Sequence, residues 1–279
     1  MKNLADSFGV AACGLVTSIL TAIAVVAVAK ITGFSIFTLS IWLIVPAGAI
    51  LTGFAAASGY YFGSLYFHKK AGVILLLQMV VIAGVTQLLI YYMEYSTFVL
   101  EDGRRVSDLL PFSRYIDISL TEAHYSVGRG MRDTGKVGSF GYALAIIQFI
   151  GFLIGGLGVF GFLMSKPVCQ KCNMYFRPLS KRAKVFTDAE SGAQYYDDLF
   201  KHPTDGPEFL AMISSDVKSE AKKGSLSIET TLYGCPKCKS QLIEDEVTIH
   251  NGEEWKEVKE LNRRVVIPDG VNLTNAFRK

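Results

Sequence analysis

Long, uninterrupted apolar runs separated by short polar breaks fill most of the first 164 residues, and then the pattern changes. Gly9–Ala29 carries no charge and ends at Lys30; Ile36–Phe67 follows, closed by His68-Lys69-Lys70; Ala71–Met93 is the third run and Phe140–Met164 the fourth. A spanning helix needs roughly 17–25 mostly apolar residues. Backbone groups in hydrocarbon must be satisfied within the segment, so runs of this length are helices. The pattern predicts four transmembrane helices. The second run has 32 residues, more than the bilayer requires. At 1.5 Å per residue such a helix reaches roughly 48 Å, against a hydrocarbon core of about 30 Å. The prediction is a helix that tilts, kinks at Pro46, or carries its last aromatic residues (Tyr60, Tyr61, Tyr66, Phe67) into the head-group region.

Beyond residue 164 the apolar positions are sparser and fall into soluble-protein periods. Phe209, Leu210, Met212, Ile213 and Val217 give one face to a helix over Pro207–Lys222, ended by Gly224. Ser225–Leu232 alternates as a strand. Ile243–Ile249 and Trp255–Val258, joined through Asn251-Gly252, read as a hairpin, and Val265–Ile267 as a last strand before a frayed end. The fold class is therefore a membrane all-α four-helix bundle (residues 1–164) with a small α+β domain (residues 165–279). The long connection 94–138 has apolar anchors at no clean period. Pro111 reads there as a helix breaker, and Gly128 and Gly130 as a flexible return to the membrane. An ordered cap lying on the bundle fits this composition.

Composition supports two solvents for one chain. Of 279 residues, 50% are hydrophobic and 19% charged, below the roughly 25% charge of soluble domains. Residues 1–93 hold four Lys/Arg and a single acid, Asp6, whereas residues 165–279 hold 18 Lys/Arg and 17 Asp/Glu. The net charge of +3 is too small for a nucleic-acid footprint, so no nucleic acid is expected as a partner. Lys2, Lys69, Lys70 and Lys166 lie on one side of the spans, and only Lys30 flanks the short loop on the other. Positive residues favour the cytoplasm, which places both termini there and loop 94–138 outside, although Arg129, Arg132 and Lys136 oppose this. The expected location is the cell membrane, specifically a bacterial inner membrane. Ala27-Val28-Ala29 resembles a signal-peptidase site, but the apolar stretch before it is too long and Asp6 interrupts the basic end.

Small residues recur along two of the predicted spans. Gly53 stands in one row of the second, Gly59 and Gly63 in another, and Gly151 and Gly155 form a GxxxG pair in the fourth. Such rows let helix backbones approach closely. They predict packing within one bundle and, as a sharper reading, contact between copies in a homo-oligomer. No Asp, Glu, Lys or Arg falls inside the predicted spans. Ion-coupled carriers normally need such groups, so an ion-coupled carrier is not expected.

The segment after the last span carries Lys166, Lys171, Arg177, Lys181, Arg182 and Lys184 with no acid. These six are candidates for anionic lipid head groups. Among them stand Cys169-Gln-Lys-Cys172 and, far downstream, Cys235-Pro-Lys-Cys238. Each pair offers two thiolates from a tight turn, and two pairs complete a closed tetrahedral set with no open position for chemistry. The cofactor expected is structural Zn2+ held by Cys169, Cys172, Cys235 and Cys238. The two turns resemble the knuckles of zinc-ribbon proteins, which implies a β-built metal domain for the tail alone. The 62-residue insert between them departs from the usual spacing of roughly 15–20.

No Walker loop, His-Glu-x-x-His, Gly-x-Ser-x-Gly or dinucleotide fingerprint occurs, and His68, His124, His202 and His250 are scattered. A catalytic role is not expected. The pattern predicts a non-catalytic assembly or signalling component whose zinc domain docks a cytosolic protein partner or relays a change across the bilayer. A pore or channel subunit is the alternative, supported by the glycine-rich fourth span.

Overall fold

The computed structural model describes residues 2–41, 45–100, 102–122, 124–127 and 132–278. It divides into two compact units, Met1–Lys166 and Pro167–Lys279.

The N-terminal unit is helical. Its long elements are α1 (Lys2–Thr32), α2 (Ala47–Tyr66), α3 (Val73–Thr97) and, after the connection, α5 (Phe140–Ser165). Three of these, over Asp6–Thr32, Val73–Thr97 and Phe140–Ser165, are long and apolar enough to cross a membrane, which makes the chain a multi-pass membrane protein. The second predicted span needs correction. Helix occupies only Ala47–Tyr66, and the described residues between Thr32 and Ala47 carry none. Pro46 is the residue that precedes the helix, not a kink inside it, which suits a ring that has no N–H to donate. Of the apolar residues before it, Phe37 is buried in the core of the unit, with its ring 6.2 Å from that of Phe152, while Leu39, Ile41 and Val45 are exposed.

Helix α2 packs against both α1 and α5. Gly53, Gly59 and Gly63 are buried on it, as are Gly151 and Gly155 on α5. A Cβ at Gly53 would lie 2.1 Å from the Phe152 carbonyl oxygen, and one at Gly155 would lie 2.1 Å from that of Ile50. The α2 and α5 backbones therefore meet with no side chain between them. Between α1 and α2, Thr17 Oγ1 donates to the Ala56 carbonyl at 2.7 Å and accepts from Gly59 N at 3.2 Å. One hydroxyl of α1 thus bonds two backbone groups of α2, the arrangement favoured where water is absent.

The connection between α3 and α5 is more regular than its composition predicts. Phe112–Thr121 forms helix α4, with Pro111 as its N-cap residue. Proline breaks a helix from within but is tolerated at its start. Tyr95 Oη donates to the Leu110 carbonyl (2.9 Å) and Tyr142 Oη to Asp117 (2.7 Å), holding α4 to α3 and α5. An antiparallel pair, β1 (His124–Val127) and β2 (Arg132–Lys136), completes the connection. Gly128 and Gly130 lie outside the described residues. Glu94, one residue beyond the predicted end of the third span, belongs to α3.

The C-terminal unit is built on an antiparallel sheet. Strands β3 (Val168–Cys169) and β4 (Met174–Tyr175) form a small pair; β5 (Arg177–Phe186), β6 (Leu226–Gly234) and β7 (Gln241–His250) are the long central strands. Strand β8 (Trp255–Glu257) pairs with the end of β7, and β9 (Arg263–Val266) with its start. Helices α6 (Ala189–Lys201) and α7 (Pro207–Ser214) supply Leu199, Phe209 and Ile213 to a core shared with Leu232 and Ile243 of the sheet. The expected frayed end is also corrected: Ile267, Leu273 and Phe277 are buried in that core. The Gln241 side chain holds this terminal segment, accepting from Leu273 N (2.7 Å) and donating to Asn272 and Thr274.

Candidate metal centre

The two cysteine pairs occupy two turns of the C-terminal unit. Cys169 ends β3, and the chain turns through Cys172 into β4. Cys235 directly follows β6, and the turn through Cys238 leads into β7, so the second pair is the tip of the central hairpin. In each turn the residue after the second cysteine donates its backbone N–H to the carbonyl of the first: Asn173 to Cys169 at 2.8 Å and Lys239 to Cys235 at 3.1 Å. These bonds curl each pair so that both thiols face the same way.

The four sulfurs all lie within 4.8 Å of one another, and Cys169 Sγ is 3.6 Å from Cys238 Sγ. A tetrahedral ion with metal–sulfur bonds of about 2.3 Å spaces its ligand sulfurs roughly 3.8 Å apart. The cluster is therefore the right size, and offers the right donors, to hold one metal ion. Cys169 and Cys235 are buried beside Phe176 and Leu242, Cys172 is half-buried, and Cys238 is exposed. Apolar cover on one side strengthens the attraction between thiolate and cation.

Without a cation the four thiols do not share charge evenly. The Ser240 side chain and amide hydrogen-bond the Cys238 sulfur and pull its thiol down to about 6. Hydrogen bonding to Cys238 and then burial push Cys172 up to about 12, and burial raises Cys169. Thiols release their protons to hold a cation, which makes capture pH-dependent. Lys171, inside the first pair, forms an ion pair with Asp269, which raises the lysine and keeps its charge engaged near the cluster. Ser240, Asn173, Lys239 and the Lys171–Asp269 pair all bear on the site, yet none follows from cysteine spacing. A small hydroxyl two residues after the last cysteine is the one signal that sequence offers for them.

The six basic residues after α5 do not form one surface. Lys184 is only 4% exposed, and its ammonium donates to the Ser215 carbonyl and hydroxyl. Arg182 donates to the carbonyls of Ser214 (2.9 Å) and Arg278 (2.5 Å). Both are corrected from head-group candidates to internal braces, because β5 alternates and turns every second side chain inward. Lys171 and Lys181 pair with Asp269 and Glu229. Lys166 and Arg177 are exposed.

No family model matches the chain, and no curated protein or solved structure is significantly similar to it. The geometry stands by itself: three helices able to cross a membrane, and a separate β-rich unit with a four-cysteine cluster that could hold a metal ion.

Proposed function

We propose that this chain is a non-catalytic membrane assembly or signalling component, with four crossing helices and a zinc-stabilised cytosolic domain that docks a protein partner or relays a change across the bilayer. The observation that carries the reading is the closed four-thiol set, which leaves a tetrahedral ion no open position for substrate. Zinc is the ion favoured by two Cys-x-x-Cys knuckles in a reducing compartment. Helix α2 supplies the fourth crossing. Its 20 residues reach about 30 Å, the thickness of the hydrocarbon core. Its glycine, alanine and serine content reflects burial between α1 and α5, where protein replaces lipid. An even number of crossings puts both termini on one side, and thiolate chemistry selects the cytoplasm.

The test is cross-linking in intact membranes followed by purification, comparing the wild-type chain with Cys235→Ser, together with metal analysis of both. A cytosolic protein recovered with the wild type and lost with the variant, alongside about one zinc per wild-type chain, supports the reading. Recovery of the chain alone, unchanged by the substitution, overturns it.

A further inference from the structure

The four thiols of the cluster differ in how they meet solvent. Cys169 and Cys235 are 3% and 2% exposed, Cys172 is half-buried, and Cys238 alone is exposed. The surroundings of Cys238 are cationic. Lys237 and Lys239 flank it and are exposed, Lys171 stands in the other turn, and neither turn, residues 169–173 or 235–239, contains an acid. The Ser240 hydroxyl lies 3.1 Å from the Cys238 sulfur. Cysteines that react with oxidants are found in such electropositive, partly exposed surroundings, whereas buried structural cysteines are inert.

A second sulfur is within reach. Cys169 Sγ is 3.6 Å from Cys238 Sγ, across 69 residues of sequence, and a disulfide closes such a separation to about 2.05 Å. The two sulfurs come from different turns. A bond between them ties the end of β3 to the tip of the β6–β7 hairpin.

We propose that the cluster is also an oxidation site for hydrogen peroxide, with Cys238 the attacked thiol and Cys169 the resolving one. This rests on the reading of the cluster as a metal centre, and it makes that centre a reversible switch. The Cys238 sulfur attacks one peroxide oxygen: the S–O bond forms, the O–O bond breaks, and the other oxygen leaves as water. Its proton comes from the thiol, or from solvent where the sulfur is already ionised. The Cys169 sulfur then attacks the sulfur of the resulting sulfenic acid. The S–S bond forms, the S–O bond breaks, and a second water leaves with the Cys169 proton. Two thiols lose two electrons, and one peroxide gains them. The step withdraws two of the four sulfurs from a bound ion, while the new cross-link holds the two turns together. Thiol reductants reverse it.

The experiment uses the purified full chain in detergent, loaded with zinc and mixed with stoichiometric hydrogen peroxide. Zinc release is followed with a chromogenic chelator, and disulfides are mapped by mass spectrometry after the remaining thiols are blocked. The Cys169–Cys238 pair should be the main product, with about one zinc released for each disulfide. Dithiothreitol and added zinc should then restore the starting metal content. Cys238→Ser should slow release several-fold, since the thiol that meets peroxide is gone. Lys237→Glu, which leaves every sulfur in place, should also slow it several-fold, with the zinc content before treatment at the wild-type level. Should Cys238→Ser hold no zinc, Lys237→Glu decides alone. Release at the wild-type rate in these variants overturns Cys238 as the point of attack. A main product of Cys235–Cys238 or Cys169–Cys172 overturns Cys169 as the resolving thiol. An untreated wild-type chain that takes up no zinc overturns the metal centre instead, and the disulfide map still decides the oxidation.

Discussion

Asn173 and Lys239 are counterparts. Each follows the second cysteine of its pair, each has a left-handed backbone (φ +53° and +64°), and each donates its N–H to the first cysteine's carbonyl. Two turns far apart in sequence have the same geometry, and the metal cluster lies between them. The left-handed region costs an ordinary L-residue about 1–2 kcal/mol, which asparagine tolerates and glycine avoids.

Lys239 therefore holds the more strained of the two positions. Lys239→Gly should raise the thermal stability of the C-terminal unit by about 1 kcal/mol and slow loss of metal to a chelator. Lys239→Val should do the reverse, because a β-branched side chain fits this backbone worst. Thermal unfolding and a chelator-challenge time course on the full chain check both.

Stripping the metal should unfold the C-terminal unit and spare the helices. Structural zinc contributes on the order of 10–16 kcal/mol in small domains, comparable to the whole stability of a typical fold, about 5–15 kcal/mol. Cys169→Ser and Cys235→Ser, at the buried ligands, should expose the region after residue 166 to limited proteolysis while the α1–α5 fragment stays intact. Cys238→Ser should be the mildest of the four, since that ligand is exposed.

Asp245 gives the C-terminal unit a pH dependence of definite sign. It is 1% exposed in β7, its Oδ1 has no hydrogen-bond partner among the described residues, and burial pushes its carboxyl from 3.8 up to about 6 against the opposing effects of Thr230, Tyr196 and Arg263; Glu244 adds to the rise. The folded state holds this proton more tightly than the unfolded chain does. The contribution is thus fully present below about pH 4 and is lost as pH rises through about 6, a change on the order of 3 kcal/mol. Asp245→Asn should flatten that part of the profile and make the unit more stable than wild type at pH 8. Paired denaturant titrations at pH 5 and pH 8 measure it.

Neighbouring glycines of α5 should respond in opposite directions. Gly155→Ala puts a methyl 2.1 Å from the Ile50 carbonyl oxygen, so the backbones must separate, at a cost of about 1–3 kcal/mol. Gly156→Ala meets its nearest atom at 3.8 Å and should gain up to about 1 kcal/mol of helix propensity. Thermal unfolding in one detergent separates them.

The metal cluster was legible because Cys-x-x-Cys spacing is dictated by local turn geometry, which does not depend on the rest of the fold. The spans at α1, α3 and α5 were legible because lipid-facing helices are apolar all round. Helix α2 misled for the opposite reason: residues 36–41 are as apolar as a span but form non-helical chain, of which Phe37 alone is buried, whereas the helix itself is rich in small residues. The basic segment hid strand β5, since charge drew attention from the alternation that buries Arg182 and Lys184. Helix α6 was missed although Asp188 accepts from Ser191 N at 2.8 Å as an N-cap and Tyr196 and Leu199 supply a buried face. Gln241 had no signal at all; a lone buried amide is recognised only by the backbone it holds.

The 62 residues between Cys172 and Cys235 also set a clock. At about 5–20 residues per second the ribosome delivers the second pair roughly 3–12 seconds after the first. Until then Cys169 and Cys172 are half a site, unable to close around an ion, with β6 and β7 still unmade. Capture of a metal by all four cysteines would therefore report that synthesis has passed residue 238. A chain truncated inside the insert would display two uncommitted thiols, a chemical mark by which unfinished copies differ from finished ones.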